Sequence, residues 1–501
     1  MSETRSDAGG GVGPGFRHEN HRRPRTRREF LAQGLVAGAG LVVGPSLFAL
    51  LAAPKSARAQ MACSVSAGAG RIPFLCFDLA GGASVAGSNV IVGGPGGPLD
   101  LLTTDGYAKL GLPDDMLPQL LGQTNLELGL PFHADSAFLR GILSKTSAAT
   151  RANVNGSVIC ARSENDTGNN PHNPTYGIAR SGSAGELAVL VGTRSSVSGG
   201  NSQAPMSMID AALRPVKVDR ASDATGLVDT GKLVTLLNQA DAGSVMRAVE
   251  ELAELKLTRM AEDQAVLDLM RCGYVETTYL VSQFGDPAAL DPRLDPDITG
   301  NANSLFNAGE LATDTFQKTA AVMKLVVNGF AGAGTLEFGG YDYHDSTRAT
   351  GERRDFAAGQ AMGAALEYAA RKGRQLMLYV FSDGSLDSNG QTDESADGRG
   401  KGVWKGDDSS TASVFMLVYN PAGRPQLTRP DAGQIGWFKP GGDLETGATR
   451  ISNNVVLLSE AIVLNYLALH NEVGRLAQVL PGHGLGNSTE QDALIAFQPI
   501  R

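Results

Sequence analysis

The stretch that decides the fold is Gly334-Thr335-Leu336-Glu337-Phe338, then Gly339-Gly340-Tyr341-Asp342-Tyr343-His344-Asp345, a segment from Gly351 to Arg371, and finally Leu376-Met377-Leu378-Tyr379-Val380-Phe381. The outer pieces are short apolar runs of strand length, and the segment between them is long enough for a helix. Strand, helix, strand of this size predicts a parallel βαβ unit. Chemistry is then expected just past the two strand exits, because ligands of open α/β sheets bind beyond the carboxyl ends of the strands.

The same alternation extends in both directions. A helix is predicted over Gly309 to Val327, a strand over Ala412 to Tyr419 and a closing helix over Ser459 to Leu469. Ile72-Pro73-Phe74-Leu75-Cys76-Phe77-Asp78-Leu79 reads as a first core strand buried on both faces, ending at Gly81-Gly82. A Gly/Pro-rich loop covers Gly93 to Pro98, Val158 to Ala161 reads as a strand, and Asn165 to Asn173 as loop. Between Asp241 and Phe284 the spacing is helical, with Val245, Val249, Leu252 and Leu255 on one side and a break near Gly273. No repeat of about 20 to 50 residues is present, which excludes a solenoid or propeller. The expected fold class is α/β, a mostly parallel sheet flanked by helices. It forms one large domain over 60–501, with a mainly helical insertion at about 205–310 and a polar loop at about 384–411.

Composition narrows the function. The 501 residues carry 43 Lys and Arg against 52 Asp and Glu, 42% are hydrophobic, and 63 are glycine without a three-residue period. This argues against a basic nucleic-acid binder, a coiled coil, a charge-rich disordered chain and collagen.

The first sixty residues read as an export address. An Arg-rich stretch to Arg28 is followed by a mildly apolar one from Leu31 to Ala53, and Thr26-Arg27-Arg28-Glu29-Phe30-Leu31 matches the twin-arginine consensus at Thr26, Arg27, Arg28, Phe30 and Leu31. Ala57-Arg58-Ala59 gives a small-x-small pattern, so cleavage is expected after Ala59. The expected partner in export is the Tat translocase, and the expected location is periplasmic or secreted. The alternative is retention of Leu31 to Ala53, 23 residues, as a membrane anchor. Residues 1–59 hold nine of the basic and four of the acidic side chains, so the mature chain has 34 against 48, a charge of -14. It has no second apolar run of spanning length, so no permanent membrane span is expected after cleavage. Cys63, Cys76, Cys160 and Cys272 allow three full pairings; Cys76, in an apolar strand, reads as a buried thiol.

Three strand exits carry the candidate chemistry. Asp342 and His344 stand two apart after the first quoted strand, so in an extended loop both side chains face the same way. That pair suits a divalent metal, an acid/base couple, or simple ordering of the loop. Asp383 follows the second strand in Ser382-Asp383-Gly384-Ser385, as a further ligand or as a turn residue before glycine. Gly81-Gly82-Ala83-Ser84 closes the first strand, where backbone amides can approach an anion or form a tight turn. Asp407 and Asp408, in the polar loop, can also reach a metal, and His172 is either near a site or solvated. There is no Gly-x-Ser-x-Gly elbow, His-Glu-x-x-His or dinucleotide glycine fingerprint.

Taken together, Gly81-Gly82-Ala83-Ser84 with Asn89, Gly339-Gly340-Tyr341-Asp342-Tyr343-His344, Ser382-Asp383-Gly384-Ser385-Leu386 and Gly406-Asp407-Asp408-Ser409 resemble the motifs of a bacterial family of uncharacterised, mostly Tat-exported proteins related to the alkaline phosphatase and sulfatase superfamily. The resemblance implies an alkaline-phosphatase-like three-layer sandwich with insertions and metal-assisted hydrolysis of a phosphate or sulfate ester. By position, Asp342 and His344 would be ligands, Asp383 a ligand or ligand orienter, Asp407 and Asp408 the remains of an Asp-His pair, and Ser84 a remote nucleophile. Oxygen-rich ligands favour Mg, Ca or Mn over Zn. The chain departs from the motifs at Ser84 (Asp in the family), Asp383 (Glu), Leu386 (Arg) and Asp408 (His). Two expectations follow: a metal-dependent hydrolase, or a non-catalytic binding or envelope-assembly protein with an envelope partner and a degraded site.

Overall fold

The computed structural model describes residues 70–163, 168–228, 239–258, 267, 270–271 and 287–501. The export segment with its cleavage point, Cys63, Cys272 and the break near Gly273 lie outside the described residues.

Twelve strands are described: β1 (Phe74–Leu79), β2 (Thr124–Asn125), β3 (Phe132–His133), β4 (Val154–Ile159), β5 (Ala188–Gly192), β6 (Val216–Lys217), β7 (Ala331–Phe338), β8 (Leu376–Ser382), β9 (Leu386–Asp393), β10 (Lys401–Asp407), β11 (Val414–Tyr419) and β12 (Gln434–Ile435). Eight of them form one sheet in the order β12-β4-β11-β8-β1-β7-β5-β6. Only β11 runs against the rest, pairing antiparallel with both β8 and β4. The predicted unit is present: β7, the Ala349–Arg371 helix and β8 form a parallel crossover, with β1 inserted between the two strands.

Alternation along the strands divides the core in two. Leu75, Phe77 and Leu79 of β1 join the Asp314–Val327, Ala349–Arg371 and Ala137–Lys145 helices on one face. Phe74 and Cys76 meet the Thr175–Arg180 and Val455–Leu469 helices on the other. The result is a three-layer sandwich, α/β in class, with a mostly parallel central sheet. The first face is unusually close where the Ala137–Lys145 and Ala349–Arg371 helices meet. A Cβ at Gly359 would lie 2.2 Å from the Phe138 carbonyl oxygen and one at Gly141 2.3 Å from that of Phe356, so only glycine lets these backbones touch.

Some expectations change. The segment around 384–411, read as a polar loop, folds as the β9–β10 hairpin, and its Lys401 and Trp404 are fully buried. Polar composition hid this, because the burial of Lys401 is supported by an ion pair to Glu352 rather than by apolar neighbours. The region about 205–310 contains the Gln239–Leu257 helix, but Met246, Ala253 and Leu257 are its buried side while Val245, Leu252 and Leu255 face out. It also supplies the edge strand β6. His172 is buried rather than solvated, stacked on Phe381 with ring centroids 5.7 Å apart. Cys76 and Cys160 are buried free thiols. No helix among the described residues is long and apolar enough to cross a membrane.

Candidate metal centre

The register of β1 against its neighbours aligns Leu79 with both Phe338 and Ser382, so the three strand exits end at one level. The loops that follow are packed backbone to backbone. Tyr341 N donates to Ala80 O at 3.1 Å, and a Cβ at Gly81, φ +128°, would lie 2.7 Å from Asp342 N. Gly81 therefore serves the approach of the Gly339–Asp342 loop.

That loop brings Asp342 and His344 together, with His344 Nε2 2.7 Å from Asp342 Oδ1. The hairpin adds Asp407, whose Oδ1 is 3.7 Å from the same nitrogen. One ligand atom from each residue lies within 4.8 Å of the others, and all three side chains are substantially open, at 52%, 38% and 51% exposure for Asp342, His344 and Asp407. Two carboxylates and an imidazole from separate segments, with solvent-facing room, form a donor set that fits a divalent cation.

The other predicted residues are directed elsewhere. Asp383 turns inward: its Oδ1 accepts from Gly81 N at 2.7 Å, its Oδ2 from Asn201 Nδ2 at 2.9 Å, and its carbonyl from Asn170 Nδ2 at 2.6 Å. Burial pushes its carboxyl up, against the backbone hydrogen bonds that pull it down. Asp408 pairs with Lys109 at 2.7 Å and caps the Ser409–Thr411 turn through Ser410 N. Burial works to raise Asp408, but the bonds from Lys109 and Ser410 prevail and hold it below the ordinary carboxyl range. Ser84 is fully buried, and its hydroxyl has no hydrogen-bond partner among the described residues.

The glycine turn offers little to an anion. Gly81 N is held by Asp383, Ala83 N by Ser382 Oγ at 2.8 Å, and Ser84 N by Tyr343 OH at 3.2 Å. The ligand set implied by the resemblance thus fits only in part: Asp342, His344 and Asp407 gather, whereas Asp383 and Asp408 bond into other networks and the Ser84 hydroxyl is buried without a partner among the described residues.

Sequence reasoning overlooked the buried polar groups around Asp383. Asp78 is fully buried; its Oδ2 accepts from Asn201 N at 2.7 Å and Ser202 N at 2.9 Å, and its Oδ1 from Ser202 Oγ at 3.1 Å. Burial first, then the nearby Asp383, push its carboxyl up to about 7. A carboxylate closing an otherwise apolar strand was a visible signal for Asp78. Nothing marked Asn201 or Asn170, which reach the site only through tertiary contact.

No family model matches the chain, and no curated protein matches it.

Proposed function

We propose that this is a Tat-exported protein on an alkaline-phosphatase-like scaffold that holds a divalent cation at Asp342, His344 and Asp407 and acts at the envelope by binding rather than by ester hydrolysis. The observation that carries the reading is the gathering of these donors, from two segments more than sixty positions apart, within 4.8 Å of one another. Two carboxylates with one imidazole favour Mg, Ca or Mn over Zn. The inward turn of Asp383, the burial of Ser84 and the engaged amides of Gly81, Ala83 and Ser84 argue against a serine nucleophile beside an anion pocket.

A second reading, metal-assisted hydrolysis of a phosphate or sulfate ester, is favoured by the openness of the three donors at the carboxyl edge of the sheet. A cation there would polarise an ester oxygen.

Elemental mass spectrometry on the chain from residue 60, purified without chelator, tests both readings beside an Asp342→Ala/His344→Ala variant. Stoichiometric metal in the first and none in the second is the expected result. Metal absent from both folded proteins would overturn the cation site. Turnover of phosphate or sulfate esters by the loaded protein alone would select the second reading.

A further inference from the structure

The two halves of the Asp342–His344–Asp407 cluster arrive on separate segments, and the hairpin ladder, which pairs Asp407 with Leu386, fixes Asp407 relative to β9 but not relative to the Gly339–Thr347 loop. The β9–β10 register slips on both sides of Trp404, between Gly402 and Trp404 and again between Trp404 and Gly406. Irregularities of this kind bend a strand and re-aim the side chains beyond it. Something outside the ladder must hold β10 against the Gly339–Thr347 loop.

Arg348 stands at that joint. It is 1% exposed, and its guanidinium lies over the Trp404 ring, 4.3 Å from the centroid. Its side chain donates to Ser88 Oγ at 2.7 Å and to Gly402 O at 3.4 Å, and pairs with Glu352 at 3.0 Å. Glu352 in turn binds Lys401 of β10 at 2.8 Å. The backbone follows the same line: Arg348 N donates to Asp393 Oδ2 at 3.0 Å, and Trp404 N to Thr347 O at 3.2 Å. Three residues before Thr347 stands His344, and three after Trp404 stands Asp407.

We infer that Arg348 is a positioning residue for the cation site: stacked on Trp404, it sets the spacing between His344 and Asp407 across two chain segments. This rests on the cation reading above. A guanidinium is suited to the role because it stacks as a plane while its edges donate in several directions, which an ammonium cannot reproduce. Outer groups that orient ligands typically account for about 10- to 100-fold in metal affinity.

The test is calorimetric titration of Mn²⁺ into the chain from residue 60, with Arg348→Lys, Asp407→Ala and the double variant, each checked for a native thermal transition. Arg348→Lys is expected to weaken Mn²⁺ by about 10-fold or more. In the Asp407→Ala background the same change is expected to cost little, because the ligand it positions is gone. Equal affinity of Arg348→Lys and the parent, or an equal loss in both backgrounds, overturns the positioning role while leaving the cation site standing. Absence of Mn²⁺ binding to the parent overturns the cation reading itself. Should Arg348→Lys fail to fold, Trp404→Leu removes the stack from the other side, and as the Trp404 Nε1 has no hydrogen-bond partner among the described residues, it breaks no bond of that group. The same loss, again confined to the Asp407 background, is expected there.

Discussion

Replacing Asp78 by Asn should make the protein more stable at neutral and alkaline pH, by an amount that grows up to about pH 7 and then levels off. The carboxyl sits fully buried on the central strand, and burial with the neighbouring Asp383 raises it from 3.8 to about 7. Between these values the unfolded chain has released a proton that the folded chain keeps. The folded state therefore binds more protons, and stability falls as pH rises until Asp78 is ionised in both states, just above 7. From pH 5 to pH 8 about two units of the shift are traversed, which is roughly 3 kcal/mol. Asp78→Asn removes that dependence while keeping the contacts: an amide oxygen accepts from Asn201 N and Ser202 N, and the amide nitrogen can donate to Ser202 Oγ. A chain of this size has an unfolding entropy near ~0.9 kcal/mol/K, so the variant should gain on the wild type by about 3 °C in melting temperature between pH 5 and pH 8. Paired thermal melts across that range, supported by urea titrations, give the difference directly. A difference that stays flat, or that falls as pH rises, would refute a buried, proton-retaining Asp78.

Two further substitutions probe the packing and the site. Gly359→Ala places a methyl against the Phe138 carbonyl, with backbone on both sides of the contact and no side chain able to yield. It should destabilise by about 3 kcal/mol, the upper part of the overpacking range, read as a fall in melting temperature; an unchanged or raised value would mean that the two helices do not cross at this point. Ser84→Ala removes a buried hydroxyl that has no partner among the described residues, and should be neutral or stabilising by about 1 kcal/mol with metal content unchanged. Loss of metal in that variant would return Ser84 to the site.

Much of the fold was legible because burial leaves a local signature. The apolar runs that became β1, β7, β8 and β11 are continuous in the sequence, and Gly351 to Arg371 falls within the observed helix at Ala349–Arg371. The hairpin was not legible. Its buried residues include Leu386 and Ser388 of β9 and the consecutive Lys401, Gly402, Val403 and Trp404 of β10, and the charge it buries is matched by Glu352, a residue on a helix nearly fifty positions earlier. The helical stripe of Val245, Leu252 and Leu255 was legible as a period but not in its direction, since periodicity does not state which side meets the rest of the fold.

The candidate site divides along the same line. Asp342 and His344 stand two residues apart in one loop, so their pairing is a property of local backbone geometry, and the sequence by itself determined it. The sequence likewise determined the α/β class, through the alternation of strand-length and helix-length segments. Which of Asp383, Asp407 and Asp408 joins the pair was decided only by tertiary structure. Each is a carboxylate at or just past a strand end, and their fates diverge because Asp383 finds the Gly81 amide and Asn201, Asp408 finds Lys109 and Ser410, and Asp407 comes within 3.7 Å of His344. The energy of a carboxylate depends on the donors within a few ångströms of it, and those donors come from parts of the chain that only folding brings near.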